Sequence, residues 1–258
     1  MLRIIDVRTG EPVEAAPARR GLTRVQAHAS GLDATALRVL LTSDLLVRAL
    51  ELGGTPVWSL LTGDRQQAEL RSAANALGIR PFEDGTDLGS GLGEAQVLHV
   101  MAGGAETAGE SRSPKRRGNP GLRGDRAGRG RRGPRRFAHG GRPRPLRTGR
   151  APARAALAPR DLPVRLDGEA LDEARRTLAH WRGAVADWAR RPSRPVPDDV
   201  RVELRTAWED DLNVPEVLRV LHRVETWPDL PDGARFETYA YADRLLGLEL
   251  TRDIGSLA

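Results

Sequence analysis

The sequence predicts an α/β fold class: a parallel-sheet domain over residues 1–104, an Arg/Gly/Pro-rich segment over 105–159, and an all-α four-helix bundle over 160–258. Three observations predict it. From residue 2 to 81, short apolar runs alternate with one-sided helical repeats in the order strand, helix, strand, helix, the beginning of a parallel sheet. Beyond residue 160 the apolar residues recur only at three- and four-residue steps. Over residues 106–155, apolar content is almost confined to Leu122, Phe137 and Leu146, too little to offset the entropy of ordering, so this segment is expected to be disordered.

Residues 2–7 predict a first short strand, followed by a turn at Thr9-Gly10-Glu11-Pro12. A second strand is predicted from Thr23 to Ala29. The next helix runs from Asp33 to Leu52, with Leu37, Leu40, Leu41, Leu45 and Leu52 on its apolar side and Gly53-Gly54 as its C-cap. Asp44 and Arg48 lie one turn apart, at the spacing of an ion pair. Pro56 to Leu61 reads as a buried strand, Asp64 as the N-cap of a helix from Arg65 to Leu77, and Gly78 as its stop. Residues 95–101 supply a further strand. Ligands of open parallel sheets bind at the strand C-termini, which points to His28 through Gly31 and Thr62 through Asp64. His28 also reads as an ordinary strand-end histidine, and Thr62 as a turn or cap residue.

The helical half opens with residues 167–191, where Leu171, Ala174, Leu178, Trp181, Val185 and Trp188 share one face. Pro195 and Pro197 break the chain, Asp198 or Asp199 caps a helix running through Trp208, and Arg235 to Leu248 form the last helix. The helix between is the best specified. Asn213 is its N-cap, Pro215 falls in its first turn, and Glu216 stands where its carboxylate can return to the capping residue. Val214, Val217, Leu218, Leu221 and Val224 make its buried side, with Glu216, Arg219 and Arg223 opposite. The acidic pair Asp210-Asp211 favours the helix start through the dipole.

Composition narrows the class. With no Cys among 258 residues, disulfides and thiolate metal sites are excluded, and no metal site is predicted. The opening residues do not read as a signal peptide and no apolar run spans a bilayer, so a soluble cytoplasmic protein without a membrane partner is expected. The formal charge of +6 is local. Residues 111–150 carry fourteen Arg, one Lys and one Asp, and the rest of the chain has a net charge of −8. Three explanations of the basic tract stand side by side: nonspecific RNA binding, a plain linker, or translation of a GC-rich stretch in the wrong frame.

Asp210, Asp211, Leu212, Asn213, Pro215, Glu216 and Leu218 match the Asp-Asp-Asp-Leu-Asn-Thr-Pro-Glu-Ala-Leu signature of cysteinyl-tRNA synthetases, with Val214 in place of Thr. Leu2, Arg3 and Asp6 match that family's opening segment, Ala76 to Pro81 is similar to the end of its first nucleotide-binding half, and Leu162 to Arg175 is similar to its passage into the helical domain. The chain thus resembles a divergent, shortened cysteinyl-tRNA synthetase. The resemblance implies a partial Rossmann-like nucleotide-binding domain, ATP as cofactor and tRNA or another RNA as partner. His28, Ser30, Gly31, Thr35, Thr62 and Asp64 are then the nucleotide-binding candidates.

The family's catalytic elements do not accompany this likeness. Asp33-Ala34-Thr35-Ala36 stands where His-Ile-Gly-His is expected, no Lys-Met-Ser-Lys-Ser string occurs, and the zinc thiolate is lacking. A recognisable anticodon-binding region is also lacking. The expected function is therefore a noncatalytic or repurposed synthetase-like protein. The alternatives are an ATP-dependent aminoacyl ligase acting on tRNA or a small-molecule acceptor, and an RNA-binding protein acting through its Arg-rich segment.

Overall fold

The computed structural model describes residues 1–18, 20–85, 94–102 and 168–256, and the predicted basic segment lies outside them. Six strands and six helices are described: β1 (Arg3–Ile5), β2 (Pro12–Glu14), β3 (Leu22–His28), α1 (Ala34–Leu52), β4 (Val57–Thr62), α2 (Gln67–Ala76), β5 (Glu83–Asp84), β6 (Glu94–Val100), α3 (Gly168–Trp188), α4 (Asp198–Glu209), α5 (Val214–Thr226) and α6 (Asp232–Leu246). β1 and β2 form an antiparallel hairpin. The other four strands form one parallel sheet in the order β5-β4-β3-β6.

Strand alternation decides which face of the sheet is covered. Thr23, Val25 and Ala27 of β3 are buried, whereas Arg24, Gln26 and His28 on the opposite face are only partly so. Ala27 and Leu61 pack with Val39, Leu40 and Leu41 of α1 and with Leu70 and Ala74 of α2, so both helices lie over the same face. Burial of each large aliphatic side chain contributes about 1.5–3 kcal/mol. α1 begins and ends as its sequence predicts: the Asp33 carboxylate accepts the Ala36 amide at 2.7 Å, and Gly53 closes the helix.

Four helices follow. α6 packs against α3, α4 and α5, and also against α1. A second core joins these helices to the sheet layer: Val25, Leu46 and Leu50 share it with Trp181, Val185, Leu204, Leu221 and Leu245. Tyr239 sits within this core, fully buried, its hydroxyl donating to the Leu221 carbonyl at 3.0 Å and its ring edge-on to Trp181 and Trp188. Among the described residues no helix is long and apolar enough to cross a membrane.

The Asn213 cap forms as predicted, accepting the Glu216 amide at 3.2 Å, with Pro215 in the first turn. The neighbouring acids act differently from expectation. The Glu216 carboxylate pairs with Arg219 instead of returning to the cap. Asp211 clamps the first strand: its Oδ1 accepts the Ile5 amide at 3.0 Å, and its own amide donates to the Arg3 carbonyl at 2.9 Å. Asp211 and Leu212 take positive φ, +51° and +54°, which turns the chain from α4 into α5. Asp198 and Asp199 are not caps but first-turn residues of α4, with Pro197 before them, where their charge still favours the helix dipole. The last helix starts three residues before Arg235, in the turn that follows Pro231.

Candidate crevice at the strand C-termini

β4 and β5 lie on one side of β3 and β6 on the other, so the strand order reverses between β3 and β6. In open parallel sheets such a reversal is where ligands bind, in the crevice at the C-terminal ends of the strands. Each of the two strands brings a histidine to that edge. Gln26 is the register partner of His99, and His28 lies two residues further along the same face. His28 Nε2 approaches His99 Nδ1 to 2.8 Å, with ring centroids 5.1 Å apart.

A hydrogen bond between two imidazole nitrogens needs one nitrogen without a proton, so a doubly charged pair cannot keep it. The surroundings reinforce this. Burial, and then the charge His99 would carry, hold His28 below the ordinary histidine value. Burial, and then the nearby Arg24 guanidinium, lower His99 as well. At neutral pH the pair is an uncharged unit whose two remaining ring nitrogens comprise one donor and one acceptor.

The loops after β3 and β4 close on each other beside this pair. The Ala29 amide donates to the Thr62 carbonyl at 3.0 Å, the Gly31 amide to the Arg65 carbonyl at 3.1 Å, and the Leu32 amide to Gln66 Oε1 at 3.2 Å. In return Gln67 Nε2 donates to the Ala29 carbonyl at 3.2 Å, and Ser30 Oγ donates to Asp64. That last bond holds the Asp64 carboxyl below its usual value. Gly63 permits the approach, because a Cβ there would lie 2.0 Å from the Ala29 carbonyl oxygen. Several donors of the anion site that a loop and helix N-terminus usually offer are therefore used within the protein: three loop amides are bonded to the neighbouring loop, and the Asp33 carboxylate takes the Ala36 amide at the start of the helix.

Five of the six predicted residues lie on these two strand ends or in the turns that follow, and Thr35 in the first turn of α1, in different roles. His28 pairs with His99, Ser30 with Asp64, and Gly31 takes φ +84° while bonding Arg65. Thr62 Oγ1 accepts from Gln26 Nε2 at 2.8 Å, and Thr35 is exposed in the first turn of α1. Asp64 is not the N-cap of α2. That helix starts at Gln67, after Gln66 in a left-handed conformation at φ +51°, because the intervening residues are engaged in the loop contact. His99 was missed by sequence reasoning, although it falls near the end of the predicted strand, where alternation would have placed it on the face of Arg24 and Gln26. Among the described residues no group of three or more His, Cys, Asp or Glu is placed to hold a metal ion.

Comparison of the chain with protein-family models finds no match, and comparison with curated proteins finds none.

Proposed function

We propose that the protein is a noncatalytic, repurposed relative of the cysteinyl-tRNA synthetases, its parallel sheet one Rossmann-like half and its C-terminal helices the counterpart of that family's helical bundle. The observation that carries the reading is the closure of the loop after β3. Adenylate formation needs donors aimed at ATP phosphates and at the charge that develops during transfer. Here the Ala29, Gly31 and Leu32 amides are bonded within the protein, and Asp33 sets a carboxylate at the start of α1. The two histidines at the crevice are neutral, bonded to each other, and carry no positive charge toward a phosphate.

The order β5-β4-β3-β6, with all strands parallel, supports the fold part of the proposal, and the string from Asp210 to Leu218 supports the family part. The crevice is suited to an uncharged polar group that meets one donor and one acceptor of the histidine pair. ATP–pyrophosphate exchange, run with each of the common amino acids, tests the reading. Exchange at the background rate is expected throughout, and measurable exchange with any amino acid would overturn it.

A further inference from the structure

An open cavity of about 720 Å³ lies at the opposite end of α1 from the histidine pair. Three guanidinium groups line it from separate elements: Arg48 of α1, Arg80 after α2, and Arg252 after α6. Asp243 and Glu249 line it with them, and three of the acidic groups at or beside it are engaged. Asp44, 1 % exposed, accepts Arg48 Nε at 3.2 Å and Arg80 Nε at 2.9 Å; Glu51 accepts Arg80 Nη1 at 2.7 Å; and Asp243 accepts the Leu248 and Leu250 amides at 2.7 and 3.0 Å. The last carbonyls of α2 accept from the amides of residues 77–79.

Donors, in contrast, are left over. Arg48 gives its Nε to Asp44, and among the described residues its two terminal nitrogens make no hydrogen bond. Arg252 is exposed and makes no ion pair among the described residues. It stands beside another cation, Arg182, whose guanidinium is held by the Leu248 and Glu249 carbonyls. Asn75 and Thr251 add a side-chain amide and a hydroxyl to the wall.

Surplus donors approaching from different elements call for a ligand with several acceptor oxygens in a three-dimensional arrangement, which a phosphate has and a planar carboxylate has not. We infer that this cavity binds a small organic phosphate, with Arg48 and Arg252 as its principal contacts. Pro81 gives the organic part an apolar contact. The site is independent of the crevice at the strand C-termini.

Calorimetric titration of the intact protein with inorganic phosphate tests the inference. Saturable binding is expected, weakened about tenfold in Arg252→Gln, the lower end of what a charge-assisted contact contributes. Because Arg252 is exposed, that variant keeps its fold. His28→Ala serves as the control and should bind phosphate as the unaltered protein does. Heat that never saturates, or equal affinity in Arg252→Gln, would overturn the inference, and loss of binding in His28→Ala would move the phosphate to the other site.

Discussion

Replacing Asp44 by Ala removes the carboxylate on which the junction between α1, the α2–β5 loop and the cavity depends. Asp44 is 1 % exposed and accepts from Arg48, itself 16 % exposed, and from Arg80, 37 % exposed. Burial alone would lower the Arg80 pKa, and its bonds to Asp44 and Glu51 raise it nonetheless. Breaking one side of a fully buried pair costs about 3–5 kcal/mol, because the remaining charge stays desolvated. Arg80 keeps Glu51 and is partly hydrated, so the expected loss is about 3 kcal/mol, most of it from Arg48. For a folded unit of this size that lowers Tm by about 6–12 °C. Urea unfolding followed by tryptophan fluorescence gives the free energy directly, with an unchanged slope if only stability moves. A loss under about 1 kcal/mol would refute the reasoning, since it would mean that Arg48 is hydrated once Asp44 is gone.

Three further outcomes are expected. Asn213→Ala removes the α5 cap and should cost about 1 kcal/mol, measured by the same unfolding. Gly63→Ala places a methyl carbon 2.0 Å from the Ala29 carbonyl oxygen; it should destabilise by about 1–3 kcal/mol and speed hydrogen exchange at the Gly31 and Leu32 amides, and normal stability would contradict the close loop contact. Folding holds His28 and His99 below their ordinary value of 6.5, so the stability this neutral pair supports is present above that pH and is lost as pH falls through the lowered folded values. Thermal unfolding between neutral and mildly acidic pH should show that loss, reduced in His28→Gln, and identical pH profiles would refute the pairing.

What the sequence revealed was local. The α1 stripe, the Asp44–Arg48 pair and the Asn213 cap each depend on residues within four positions of one another, and each is present. The contacts that give the site its character join distant positions. Arg80 reaches Asp44 across 36 residues, Asp211 holds Ile5 across 206, and His28 meets His99 across 71. No periodicity encodes those distances. Asp64 shows the same limit: its type and position suit a cap, but the loop contact places it against Ser30 instead. The reversal of strand order that makes the crevice depends on which side of β3 receives β6, a choice the alternation of strands and helices leaves open.

A noncatalytic protein requires that the loop after β3 stay closed to phosphate. Titrating ATP with magnesium into isotopically labelled protein, and following the backbone amide signals by NMR, examines that loop residue by residue. Amide signals of Ala29, Gly31, Leu32 and Ala36 should stay in place at millimolar ATP, whatever occurs at Arg48 and Arg252. Progressive, saturable shifts at those four amides would show that the loop opens to hold the nucleotide, and would contradict the noncatalytic reading.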